Sequence, residues 1–172
     1  HDQTEAMTLG DRVALLRYGE IVQIGEPKEL YNAPNSPFAA TFIGSPPMNL
    51  IPGKKDGSGH ISIQGMGFRL DENNVEAAGK IENDDILVGI RPEKITVLTE
   101  GEKNTEKNGN KIFLKGKLNT VEPLGREFIY HVVVETCEML ALAQESDIKR
   151  GDDVRLAFHT EDLHFFDAGN ME

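Results

Sequence analysis

Residues 126–135 read REFIYHVVVE, and within them Phe128, Tyr130, Val132 and Val134 alternate strictly with Ile129, His131, Val133 and Glu135. Side chains two apart share one face of a strand, so this period sets one row against a core and turns the other outward. The same texture continues in both directions. HISIQ (60–64), MGFRL (66–70), DILVGI (85–90), KITVL (94–98), KIFLKGKL (111–118), EMLALA (138–143) and DVRLAF (153–158) are short apolar runs parted by Gly, Asn, Asp and Lys. Many short strands at near-regular spacing predict a small barrel or sandwich from about Leu50 onward. TEGEKNTEKNGNK (99–111) has no apolar period and is expected to be a mobile loop.

Ahead of Leu50 the period changes. A short helix is expected over residues 4–9, with Glu5 near its positive end and Gly10 stopping it. Val13 to Leu16 and then Ile21, Val22 and Ile24 flank Tyr18-Gly19, which predicts a β-hairpin. Asn or Asp would suit the position before Gly19 better than Tyr18 does. Pro27 suits the first position of a helix over KELY that Pro34 ends. PFAATFIG predicts a second short helix, with Phe38, Thr41 and Phe42 on one side and Gly44 closing it. The adjacent prolines 46 and 47 in SPPMNLIPG favour extended backbone and read as a linker.

Composition excludes several classes. The chain has 172 residues, 38% of them hydrophobic and 27% charged, as expected of a soluble globular protein. Its formal net charge of −11, with 6% aromatic residues and no Trp, opposes a binder of nucleic acid phosphates or stacked bases. Cys137 is the single cysteine, so no internal disulfide and no Cys-based zinc site can form. No apolar run approaches the roughly 20 residues of a membrane span, and none reads as a signal peptide, so a cytoplasmic location is expected.

Gly53-Lys54-Lys55 and Gly116-Lys117-Leu118 lack the spacing and hydroxyl of a phosphate-binding loop. His60, His131, His159 and His164 are scattered without metal-ligand spacing, and no metal is expected. Asp84-Asp85 and Asp152-Asp153 read as acidic turn residues, and Cys137 as a small strand residue.

Two stretches carry a resemblance. HDQTEAMTLGDRVALLRYGEIVQIGEPKELYNAP (1–34), followed by FIGSPPMN (42–49), resembles the end of the ATP-binding subunit of ABC importers serving maltose, other oligosaccharides and glycerol phosphate. GIRPEKI (89–95), VEPLGRE (121–127) and VRLAFHTEDLHFFD (154–167) resemble signatures of the OB-like (TOBE) regulatory domain attached to these ATPases. Departures are Glu26, where a threonine commonly caps the helix, and Tyr18, where Asp or Asn is usual.

The resemblance implies a mainly β fold: an OB-like β-barrel regulatory domain over 50–172, preceded by a short α/β remnant of an ABC nucleotide-binding domain over 1–49. It implies that His1 is the switch histidine that reaches the γ-phosphate of ATP and helps hold the attacking water. An imidazole suits that task because it can donate to a terminal phosphate. Asp2, Gln3 and Glu5 would shape the loop and helix.

The family places its phosphate loop, signature motif and catalytic glutamate ahead of this histidine. The chain is therefore expected to be a C-terminal fragment, inactive alone, of a subunit that uses ATP and Mg²⁺. Implied partners are a second copy in a homodimer, transmembrane permease subunits and a regulatory protein, at the inner face of the cell membrane; nucleic acid is not one. Arg91-Pro92-Glu93 ends a strand and re-aims the chain. Pro123 and Gly125, beside Glu122, bracket a turn in which Leu124 can plug a core. Structural roles and regulatory contacts both remain open for these two motifs. The rival reading is a free-standing OB-type module for a small oxyanion such as molybdate, or for nucleic acid.

Overall fold

The computed structural model describes residues 3–99, 110–144 and 148–170. His1, Asp2 and residues 100–109 of the expected loop lie outside the described residues.

The front folds as its turn and cap residues dictate. Helix α1 (Gln3–Leu9) ends where the Gly10 amide donates to the Ala6 carbonyl. Strands β1 (Val13–Arg17) and β2 (Glu20–Gly25) form the hairpin. Its two turn residues both adopt left-handed backbone, Tyr18 at φ 52° and Gly19 at φ 86°, which is the geometry that matches strand twist in a two-residue turn. Helix α2 (Pro27–Asn32) starts on proline without a side-chain cap from Glu26. In α3 (Pro37–Phe42) the Ser36 hydroxyl accepts from the Ala39 amide at 3.2 Å. Leu15, Leu30, Ala39 and Ile43 form a small core belonging to the front alone.

Pro46 and Pro47 lie in irregular backbone, and the first sheet begins right after them, within the same SPPMNLIPG stretch. Strand β3 (Asn49–Lys55) runs between β4 (His60–Ile63) and β6 (Asp85–Ile90), with β5 (Met66–Arg69) beyond β4. Pro52 is tolerated because pairing to β4 starts only at Gly53, leaving that position one neighbour. Between β5 and β6 lies α4 (Glu72–Gly79), capped by the Asp71 carboxylate on the Asn74 amide at 3.0 Å. After a 3-10 turn at Pro92–Lys94 come β7 (Thr96–Thr99), β8 (Lys111–Leu124), β9 (Glu127–Val134), β10 (Cys137–Ala143), β11 (Asp153–His159) and β12 (His164–Asp167).

These strands make two five-stranded sheets, ordered β12-β6-β3-β4-β5 and β10-β9-β8-β11-β7. All the described pairings are antiparallel. One core joins the sheets, with Ile51, Ile63 and Val88 from the first meeting Leu118, Tyr130, Val132, Leu156 and Phe158 from the second. In β9 the alternation holds as expected: Tyr130, Val132 and Val134 are buried while Val133 is exposed. The fold is mainly β, and its sheets are open. Edge strands β7 and β10 pack against each other with no ladder between them.

Candidate functional site

The Arg91-Pro92-Glu93 motif sits where the front meets the sheets. Strand β6 ends at Ile90, and Pro92, at the first position of the 3-10 turn, redirects the chain. The Arg91 side chain points back across the boundary and is only 3% exposed. Its Nη1 donates to the carbonyls of Ala40 at 3.0 Å and Ile43 at 2.5 Å, and its Nη2 donates to the carbonyl of Tyr31 at 2.7 Å. These acceptors lie at the C-terminal ends of α2 and α3, where helix carbonyls lack intrahelical partners and the dipole favours a cation.

The guanidinium also lies over the Tyr31 ring, 4.1 Å from its centroid. The Tyr31 hydroxyl donates to Glu93 Oε1 at 2.5 Å. Burial, then the hydrogen bond and negative charge of Glu93, push the Tyr31 phenol up to about 12, so it stays protonated. Burial lowers the pKa of Arg91, while Tyr31 and Glu93 act in the opposite direction. Next along the turn, Lys94 Nζ meets Asp162 at 2.8 Å.

Gly44 belongs to the same packing. At φ 115° it occupies left-handed backbone, and a Cβ there would stand 2.9 Å from Arg91 Nη1 and 3.3 Å from the Tyr31 ring. A small apolar cluster completes the boundary: Ala40 of α3 packs with Met48, Leu87 and Phe166. Asn49 ties the two sheets together. Its Nδ2 donates to the carbonyls of Ile90 at 3.2 Å and Leu140 at 2.9 Å, and its Oδ1 accepts from the Leu140 amide at 2.7 Å. A side-chain amide thus satisfies both backbone groups of one residue on edge strand β10.

The second motif lies elsewhere and is not brought near the first. Strand β8 runs through Glu122, Pro123 and Leu124, and Gly125, at φ 67°, turns the chain into β9. Leu124 is 48% exposed, so the expectation that it plugs a core is corrected: the turn projects beyond the sheet that would cover it. Glu122 does meet a partner. Its Oε2 stands 3.5 Å from His131 Nε2, while Glu138 Oε2 stands 3.3 Å from His131 Nδ1. Sequence reasoning leaves His131 among scattered histidines, because only the register of β8, β9 and β10 brings these side chains together.

Among the described residues, no group of three or more His, Cys, Asp or Glu could hold a metal ion. Asp85 opens β6 and faces Lys54 at 3.5 Å; Asp152 Oδ2 accepts from the Lys149 amide at 2.8 Å, the turn role expected of it. Cys137 accepts from Gln64 Nε2 at 2.9 Å. No described helix is long and apolar enough to cross a membrane. The arrangement around Arg91 binds one part of the chain to another.

Residues 44–95 match the MalK OB fold domain and residues 88–166 the TOBE domain. The chain is 34% identical to the oligosaccharides import ATP-binding protein MsmX of Bacillus subtilis, over 98% of this chain and 46% of that protein. It is 36% identical to the sn-glycerol-3-phosphate import ATP-binding protein UgpC of Cupriavidus metallidurans, over 98% of this chain and 45% of the relative. The xylose/arabinose import ATP-binding protein XacK of Haloferax volcanii is also 36% identical, with 98% and 43% covered. The chain thus spans about half the length of the curated relatives it matches.

Among solved structures, the cytoplasmic molybdate-binding protein ModG superposes with a TM-score of 0.53 at 13% identity, covering 69% of this chain and 95% of that one. At that identity the likeness is one of fold. The chain belongs with the MalK OB and TOBE domain families, as the counterpart of the C-terminal part of sugar and glycerol-phosphate import ATP-binding proteins.

Proposed function

We propose that this chain serves as the C-terminal part of the ATP-binding subunit of an ABC sugar-type importer. Its β part, residues 50–172, supplies regulation and dimer formation, and residues 1–49 supply the end of the ATPase domain that carries the switch histidine. The observation that carries this reading is the match to import ATP-binding proteins over 98% of the chain, front and β part together. A free-standing oxyanion or nucleic-acid module would have no reason to retain the front. The likeness to ModG reaches only the level of fold.

In this role the working partners are a second copy and the transmembrane permease subunits, which would hold the protein at the cytoplasmic face of the membrane. A regulatory protein could act through the β part. ATP and Mg²⁺ would be used by the full-length subunit. The described residues do not themselves fit that pair: they hold no glycine-rich phosphate loop and no candidate metal group. The role of His1 rests on its place in HDQTEA.

The test is a chimera joining the ATP-binding half of the B. subtilis relative to residues 1–172. Its ATP hydrolysis is measured with and without His1→Ala. The reading predicts hydrolysis that falls about 100-fold or more on His1→Ala while ATP still binds, the range typical for losing a group that positions the reacting water. A folded chimera that hydrolyses ATP equally with either residue would contradict it.

A further inference from the structure

The molecule has separate apolar cores: one inside the front, one between the two sheets, and a small third cluster at the boundary. Among the described residues, the apolar cluster shared by front and sheets is the patch of Ala40, Met48, Leu87 and Phe166, with Leu50 and Ala168 packed against it. What crosses the boundary besides this patch is polar and centred on a single side chain. Arg91 gives three hydrogen bonds to backbone carbonyls of α2 and α3 and stacks on Tyr31, which is itself held by Glu93.

We infer that Arg91 is the positioning residue that locks residues 27–44 onto the β sheets, so that the Arg91-Pro92-Glu93 turn works inward as a joint and offers no contact surface to a partner. Arg91 and Pro92 are both buried. The exposed Glu93 is occupied by Tyr31. The geometry fixes an angle as well as a distance: a planar guanidinium donating to three carbonyls on two helices cannot rotate without breaking one of them. Lysine, a point charge on a flexible stem, cannot reproduce the fork and the stack together. Gly44 fits the same purpose, because any larger residue there would press on Arg91 Nη1 and the Tyr31 ring. The inference goes beyond the importer reading and does not require it, since both sides of the joint lie within these residues.

Amide hydrogen exchange on the 172-residue chain tests it, comparing wild type with Arg91→Met and Arg91→Lys. The reporters are the Leu30, Ala33, Ala40 and Ile43 amides, which close the turns of α2 and α3. The sheet reference is Tyr130, Val132 and Leu156 in the central core. Arg91→Met is expected to speed exchange at the four reporters about 10-fold or more, and to change the sheet amides less than about twofold. Arg91→Lys should fall between. Unchanged reporters would overturn the inference, and so would reporters and sheet amides accelerating by the same factor, which would make Arg91 part of one common core. Where Arg91→Met does not fold, the same comparison on Arg91→Lys decides.

Discussion

His164, on β12, shows how a single residue sets a pH response. Burial, and secondly the positive charge of Arg91, hold its imidazole below the ordinary value of 6.5, with Asp162 pulling weakly the other way. The folded chain therefore takes up this proton less readily than the unfolded chain. Stability is unaffected by His164 above pH 6.5 and falls as pH drops below that value, because the unfolded state protonates first. Urea unfolding at stepped pH should show a shallower acid decline for His164→Gln than for wild type, and equal slopes would contradict this. Asn49 makes a second prediction at this scale. Replacing it by Leu leaves the amide and carbonyl of half-buried Leu140 without the partners they now have. The unfolding midpoint should fall by an amount equivalent to about 2–4 kcal/mol, with little change in denaturant slope.

Among the elements, the hairpin at the front carries a local conflict. Tyr18 holds φ 52° although its ring is 94% exposed and gains little beyond the stacked Arg17 at 5.3 Å. Asn adopts that backbone more readily. Tyr18→Asn should therefore stabilise the chain by about 0.5–1 kcal/mol, read as a rise in thermal midpoint. The strands that sequence reasoning finds are those with an alternating period, β9 above all, and its helices are those opened by proline and a cap. Strand β3 escapes because Pro46, Pro47, Pro52 and Gly53 all signal irregular backbone, and only the neighbour on one side makes Pro52 acceptable. Helix α4 escapes because it buries little more than Asn74 and Ala78, leaving no apolar stripe to read. Strand β12, HFFD, escapes because its two apolar residues, Phe165 and Phe166, are adjacent and do not alternate. The motif around Arg91 is visible as a string of letters, but its acceptors are backbone carbonyls 48 to 60 residues away, which no residue type encodes. The cluster of Glu122, His131 and Glu138 is hidden in the same way, since strand register alone assembles it.

At the scale of the whole molecule, two cores joined by a polar clamp and a small apolar patch predict a β part able to stand alone and a front that leans on it. Removing the front takes away the three carbonyls that hold Arg91 and uncovers Leu87 and Phe166. The core between the sheets, however, draws on residues from Ile51 onward. The regulatory and dimer-forming role proposed for this part requires both independent folding and self-association, with an interface small enough for exchange between monomer and dimer. Sedimentation equilibrium of residues 48–172 across a range of concentrations, paired with thermal unfolding of the same samples, measures both. The account predicts one cooperative unfolding transition and a mass that moves from monomer to dimer as concentration rises. An unfolded chain, or a folded one that stays monomeric at every concentration, would contradict it.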